Sequence, residues 1–284
     1  MKKIGFVDYY LSEWHANNYP AWIAEACAEA GADYRIGYAW AELDVSPKDG
    51  LTSDDWCQKF GAERCETLSE LCEKSDVIVI LAPSDPEKHL GYAEEVLKHG
   101  KRTYIDKTFA PDLATAKQIF ALGERYGTPC FSSSALRYAE ELGACPDCRQ
   151  MITMGSGSNL PEYVIHQVEM IVKKLGVGAK RIRAEQLGGQ TYLHIGYDDD
   201  RTATMIFARS LPFVVYMSDG KAEGERPTYV SVTSAFFKGL IADMVRFFEE
   251  GTVSFDGGET LEVMKIREGA LRATETPDTW VELD

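Results

Sequence analysis

Lys107 and His166 are the two side chains whose type and setting best support chemistry. Lys107 ends the run RTYIDK, directly after Asp106. An ammonium beside a reacting hydroxyl lowers that hydroxyl's pKa and can shuttle a proton. His166 lies in NLPEYVIHQVEMIVKKLG, four residues after Glu162, so the two share one helix face. A carboxylate there raises the imidazole's pKa and fixes the ring, which suits a general acid or base. A solvated strand-end lysine and a helix-surface ion pair are the plain alternatives.

Smaller signals surround them. Glu87 and His89 open a helix after Pro83, where a ligand contact and an idle first-turn residue look alike. Ser132, Ser133, Ser134 and Arg137 follow a short strand and can hydrogen-bond a polyol. They equally suit backbone hydrogen bonding at a crossover. Cys145-Pro146-Asp147-Cys148 is a lone C-x-x-C, with no second pair and no histidine at zinc-ligand spacing. We expect two thiols in a loop there, and no metal. Neither Ser-His-Asp nor P-loop spacing is evident.

The elements that must hold these residues alternate up to about residue 138. Strand patterns at 3–8, 34–38, 77–81, 102–106 and 129–131 are separated by helical patterns at 54–60, 69–74, 86–99 and 113–126. A first helix is expected to start with Asn17 or Asn18 as cap, with Pro20 in its first turn, and to stop at Gly31. Such alternation means a parallel sheet with helical crossovers. The carboxyl ends of its strands face the ligand crevice, so Lys107 should point there. After Arg137 the pattern changes. Residues 141–159 read as loop and 160–175 as helix. Strand-like runs then follow at 181–186, 190–197, 203–208, 213–218 and 228–233 with no helix between them. Helices at 234–250 and 258–274 and a strand at 280–283 close the chain. This is a mainly antiparallel sheet with helices, so we expect domains at 1–138 and 139–284.

The 284 residues carry 30 Lys+Arg and 45 Asp+Glu, a net charge of −15. That balance disfavours nucleic acid and anionic membranes as partners, but not a small anionic ligand met by a local lysine. No run approaches the roughly 18 apolar residues of a transmembrane helix, and MKKIGFVDYY does not read as a secretory signal. With 7 scattered cysteines, the expectation is a reduced, cytoplasmic protein.

The stretch from Ser75 to Tyr138 resembles the second half of the Rossmann domain in the glucose–fructose oxidoreductase/inositol dehydrogenase/MocA family. That family's signature is a strand, an acidic-Lys-Pro turn and a helix. Here the turn is Asp106-Lys107-Thr108, so the proline is replaced. The preceding A-P-x-x-x-H pattern appears as Ala82-Pro83, with His89 slightly further on. The resemblance implies a Rossmann domain followed by an α/β domain with an open-faced sheet that walls the substrate site and often carries the oligomer interface. It further implies a homo-oligomer acting on a sugar, cyclitol or related polyol with NAD or NADP. Asp8, Ser12, Pro83, His89, Asp106 and Lys107 would meet the cofactor. Ser134, Arg137 and His166 would meet the substrate. Lys107, His166 and Glu162 would do the chemistry, and Lys107 and His166 must then approach one cavity. The family's acid before the histidine is more often Asp, so Glu162 departs from its pattern.

The first strand departs further. A dinucleotide site wants G-x-G-x-x-G, so that backbone and helix N-terminus can approach the diphosphate. This chain has Asp8-Tyr9-Tyr10-Leu11-Ser12-Glu13-Trp14-His15-Ala16-Asn17-Asn18, with no glycine between Gly5 and Gly31. Two carboxylates and three bulky aromatic residues stand where the diphosphate would lie, and Glu42 is the nearest candidate for a ribose clamp. Any dinucleotide should bind weakly or in a shifted pose, leaving only a helix N-terminus near Asn17–Tyr19 for anions. Two readings follow. One is an NAD(P)-dependent oxidoreductase with a rewritten loop. The other is a cofactor-free carbohydrate-binding protein, non-oxidative enzyme or partner subunit.

Overall fold

The computed structural model describes residues 1–221 and 227–283. The chain forms two compact units. The first comprises Met1–Ser133 with Leu240–Phe255; the second comprises Ser134–Gly239 with the chain from Asp256 on. Among the described residues no helix is long and apolar enough to cross a membrane.

The first unit is built on six parallel strands, β1 (Lys2–Asp8), β2 (Tyr34–Ala41), β3 (Glu63–Arg64), β4 (Val77–Ile80), β5 (Thr103–Ile105) and β6 (Cys130–Phe131). Their spatial order is β3-β2-β1-β4-β5-β6. Five helices connect them: α1 (Trp14–Ala30), α2 (Ser53–Phe60), α3 (Leu68–Lys74), α4 (His89–Val96) and α5 (Leu113–Tyr126). The strand order reverses between β1 and β4, which is where such sheets open a ligand crevice. All four residues of β4 are buried, which is why it reads as the continuous apolar run VIVI. In β1, Gly5 lets α3 approach closely: a Cβ there would lie 2.4 Å from Ser75 Oγ and 2.6 Å from Leu71 Cδ2.

Helix α1 begins earlier than the sequence suggests. Its N-cap is Glu13, not Asn17 or Asn18, and Pro20 lies inside it. Glutamate is an unusual cap. Its reach nevertheless lets both carboxylate oxygens take backbone amides at the helix start, and that fixes the terminus. Gly31 ends α1 in the left-handed conformation as expected.

The second unit has a seven-stranded sheet. Its strands are β7 (Gln150–Ser156), β8 (Ala179–Leu187), β9 (Gln190–Tyr197), β10 (Thr202–Ala208), β11 (Val214–Ser218), β12 (Thr228–Ser231) and β13 (Trp280–Glu282), in the order β12-β11-β7-β10-β9-β8-β13. Among the described residues of this sheet only β7 and β10 pair in parallel. The expected fold class, a parallel Rossmann-like sheet and then a mainly antiparallel one with helices, is borne out. Strand β7 falls in the segment read as loop. It alternates Met151, Thr153 and Gly155 inward, a pattern too polar and glycine-rich to stand out, and it is held by β10 on one side and β11 on the other. Helices α6 (Leu160–Leu175) and α8 (Gly257–Glu275) belong to this unit.

Helix α7 (Phe236–Glu250) runs through the residue that ends one stretch of the second unit. From Leu240 onward it packs within the first unit, although the sequence assigned it to 139–284. Phe247 meets Phe131 at 4.8 Å between ring centroids, and Phe248 meets Tyr34 at 5.7 Å. The Arg102 guanidinium donates to Phe248 O at 2.6 Å. Aromatic burial far from α7 in sequence draws it there.

Candidate functional site

The carboxyl ends of β1, β4 and β5 carry a buried polar cluster. Asp106 follows β5 and is fully buried. His15, on the first turn of α1, directs Nδ1 at Asp106 Oδ2, so that nitrogen carries the hydrogen. Tyr104 OH donates to Asp106 Oδ1 at 2.8 Å, and Tyr19 OH to the same oxygen at 3.3 Å. The His15 ring also stacks on Tyr19, 5.2 Å between centroids. Burial opposes ionisation of Asp106, but the neighbouring His15 and Lys107 charges and the His15 and Tyr104 hydrogen bonds outweigh it, holding its pKa below the usual value. Asp106 is therefore committed to His15 and two tyrosines. Lys107, next in sequence and nearly buried, donates to Pro83 O at 3.2 Å.

Asp8 ends β1 at the point where the strand order reverses. Its Oδ1 accepts from Tyr9 N at 2.7 Å and Ala82 N at 3.0 Å, while Oδ2 is buried with no partner. Burial first, then the charges of Glu13 and Asp106, push its pKa well above 3.8 despite those two amides. Burial pushes the Glu13 carboxyl up as well, against the pull of His15 and of the Ala16 and His15 amides, so the two carboxyls expected to repel ease that repulsion by favouring the protonated form. Ser12 donates to Asp49 at 2.6 Å, and Ser46 donates to Ser12 O at 3.2 Å. Glu42 is held by Lys88 Nζ at 2.6 Å and Tyr92 OH at 2.8 Å, the lysine keeping its carboxyl below the usual pKa. The backbone joins the segments of Asp8 and Glu42, with Glu42 N donating to Asp8 O at 3.1 Å and Leu43 N to Tyr9 O at 2.8 Å. His89 is fully buried. Its Nδ1 lies 3.0 Å from Phe109 O and its Nε2 2.6 Å from Leu81 O. Burial lowers the ring's pKa, and a neutral imidazole carries one N–H, so His89 donates to one of these two carbonyls; both nitrogens face backbone.

These positions test whether a dinucleotide fits. Its diphosphate needs the amides at the start of α1. Glu13 Oε2 already accepts from His15 N at 2.8 Å, and Oε1 accepts from Ala16 N. The helix start expected to serve anions near Asn17–Tyr19 is therefore earlier, at Glu13, and its donors are taken. The β1–α1 turn does not fit a diphosphate in the usual pose.

The second unit holds its own cluster. Ser134 Oγ and His166 Nδ1 are 2.6 Å apart, which orients the imidazole. Ser134 N donates to Glu169 Oε1 at 3.0 Å, and the buried Arg137 donates to Glu169 Oε2 at 3.1 Å and to Glu259. Arg137 thereby ties the 3₁₀ turn Ala135–Tyr138 to α6 and α8. Burial pushes the Glu169 carboxyl up, against the opposing pull of Arg137. Glu162 accepts from Asn159 Nδ2 at 3.1 Å at the exposed start of α6. Cys145 and Cys148 are both thiols, Cys148 pushed up to about 11 by burial, and no group of three or more metal-ligating side chains occurs among the described residues.

Several of these residues escape a reading of the sequence. His15, Tyr19 and Tyr104 converge on Asp106 across 91, 87 and 2 residues. Glu169 shares a helix face with Ile165 and Glu162, but nothing local pairs it with Arg137, 32 residues away. The one available signal is the cluster of polar and aromatic types in EWHANNYP.

Residues 44–133 match a family described as oxidoreductases with an NAD-binding Rossmann fold. The uncharacterized oxidoreductase YhhX of Escherichia coli (strain K12) is 35% identical over 60 residues, which cover 21% of this chain and only 17% of that relative. Among solved structures, scyllo-inositol dehydrogenase from Lactobacillus casei superposes with a TM-score of 0.77 at 13% identity, covering 100% of this chain and 98% of that one. An oxidoreductase from Agrobacterium radiobacter, solved with NAD+, L-tartaric acid and magnesium, gives a TM-score of 0.76 at 13% identity over 99% and 98% of the two chains. At these identities the likeness is one of fold.

Proposed function

We propose, for a chain that residues 44–133 assign to the glucose–fructose oxidoreductase/inositol dehydrogenase/MocA family, an oxidoreductase acting on a hydroxyl-bearing carbon of a sugar, cyclitol or related polyol. The observation that carries this reading is Lys107 at the carboxyl end of β5, inside the matched segment. His166 would take the hydroxyl proton, with its ring held by Ser134, and Lys107 would assist by favouring the alkoxide. The redox partner in this reading is NAD or NADP, seated away from the α1 amides. We expect a homo-oligomer in the cytoplasm.

One observation favours a second reading. With Glu13 on the α1 amides, the chain suits a cofactor-free role, as a carbohydrate-binding protein, non-oxidative enzyme or partner subunit. Titration with NADH and NADPH, followed by a panel of inositols and sugar alcohols offered with NAD+ or NADP+ and monitored by the rise in reduced-nicotinamide absorbance, separates the two. Turnover of any panel member supports the first reading. Absence of both dinucleotide binding and turnover supports the second.

A further inference from the structure

We propose that Cys145 and Cys148 form a reversible dithiol–disulfide site, in which Cys145 takes a low-molecular-weight disulfide from solvent and Cys148 then displaces it. The site plays no part in the proposed reaction. The pair lies in the second unit, on the loop between the 3₁₀ turn Glu140–Ala144 and β7. Both are thiols, and their side chains are hydrogen-bonded to each other. They differ as an attacking and a resolving cysteine differ. Cys145 is partly exposed, while Cys148 is buried. Cys148 is also anchored. Its Sγ donates to Gln150 O at 3.4 Å, and the next residue is tied into the sheet, with Arg149 N donating to Ser218 O at 2.7 Å. Lys221, which pairs with Asp219 at 2.9 Å, lies close enough to Cys145 for their charges to interact, and a cation there favours the thiolate. The remaining thiols compete poorly. Cys27, Cys57, Cys65 and Cys72 are buried. Burial pushes Cys57 and Cys65 up to about 11, and Cys72 and Cys130 up to about 12.

The chemistry is a pair of exchanges. The Cys145 thiolate attacks one sulfur of the small disulfide, whose S–S bond breaks. One small thiolate leaves and takes up the proton that Cys145 gave. Burial, and after it the charge of Cys145, holds the Cys148 thiol at about 11, so capping Cys145 removes one of the forces that oppose Cys148 ionisation. Cys148 then loses its proton and attacks Cys145 Sγ. The mixed disulfide breaks, and the second small thiol leaves with that proton. The chain is oxidised and the small disulfide is reduced to its thiols.

Incubation of the full, reduced chain with oxidised glutathione, quenched by alkylation in denaturant and read by peptide mass, tests this. The tryptic peptide Tyr138–Arg149 holds both cysteines. In the native chain it should lose a pair of hydrogens, keep no glutathione, and return to the dithiol in excess reduced glutathione. Cys148→Ser, whose hydroxyl keeps a donor for Gln150 O, should stop with glutathione on Cys145. Cys145→Ser should slow reaction at Cys148 at least tenfold. The native chain decides the matter even should a variant fail to fold. The proposal is overturned if the native chain forms no Cys145–Cys148 disulfide, or if Cys145 reacts no faster than the remaining thiols. It is equally overturned if the disulfide, once formed, resists reduced glutathione.

Discussion

Replacing Asp8 by asparagine should stabilise the protein by an amount that grows with pH. Asp8 is 1% exposed, and only Oδ1 is paired, to Tyr9 N and Ala82 N. Burial and the Glu13 charge raise its pKa well above 3.8. In the unfolded chain it ionises near its usual value, about 3.9. The folded state therefore holds a proton that the unfolded state gives up, and stability is greatest below the unfolded pKa. It falls as pH rises through the window up to the folded pKa, by about 1.4 kcal/mol per pH unit. Asparagine keeps the acceptor for both amides and cannot ionise. The variant should gain on the native chain as pH rises above about 4, by up to about 1.4 kcal/mol per pH unit, until the folded pKa is passed and the gain levels off. Urea unfolding at several pH values, read by tryptophan fluorescence, measures this in the right unit, because Trp14, Trp22, Trp40 and Trp56 all lie in the first unit. A stability difference that stays flat across this range, or that turns against the variant as pH rises, would refute a neutral Asp8.

Other expectations follow from the same contacts. Arg137→Met leaves Glu169 buried beside no guanidinium and should cost about 3–5 kcal/mol in denaturant unfolding; a loss under about 1 kcal/mol would mean the ion pair is idle. Gly5→Ala drives a methyl into Ser75 and Leu71 and should cost about 1–3 kcal/mol, measured as a lowered melting temperature. Ser134→Ala should change the His166 tautomer balance seen by nitrogen NMR while leaving the fold intact, and an unchanged balance would remove Ser134 as its positioning group. On any polyol the chain turns over, His166→Asn and Lys107→Met should each slow the reaction by about 10²–10⁴-fold without lowering the unfolding midpoint; full activity in either would exclude that residue from the step.

Much of the architecture was legible in local pattern. Helices α5 and α6 and strand β9 fall at the residues read from periodicity, because their caps Asp112 and Asn159 and their apolar spacing are sequence-local. The fold class followed from strand–helix alternation giving way to consecutive strands, and the absence of glycine in the β1–α1 turn already argued against a standard diphosphate site. What that turn does instead depended on contacts that no window of sequence contains. Asp8 is pushed towards its neutral form by a dry interior and the nearby Glu13 charge, against the pull of the amide of Ala82, 74 residues on. Glu13 reads as a repelling charge until helix α1 is seen to start at it. Asp106, adjacent to Lys107 and so read with it, belongs to His15 and Tyr19, which the parallel sheet brings alongside from the other end of the unit. Arg137 looked like a substrate ligand, yet tertiary packing closes Glu169 and Glu259 around it. Local periodicity fixes where strands and helices run. The ionisation and partners of a buried polar side chain are fixed by whichever distant groups share its low-dielectric surroundings, and only the folded chain brings those together.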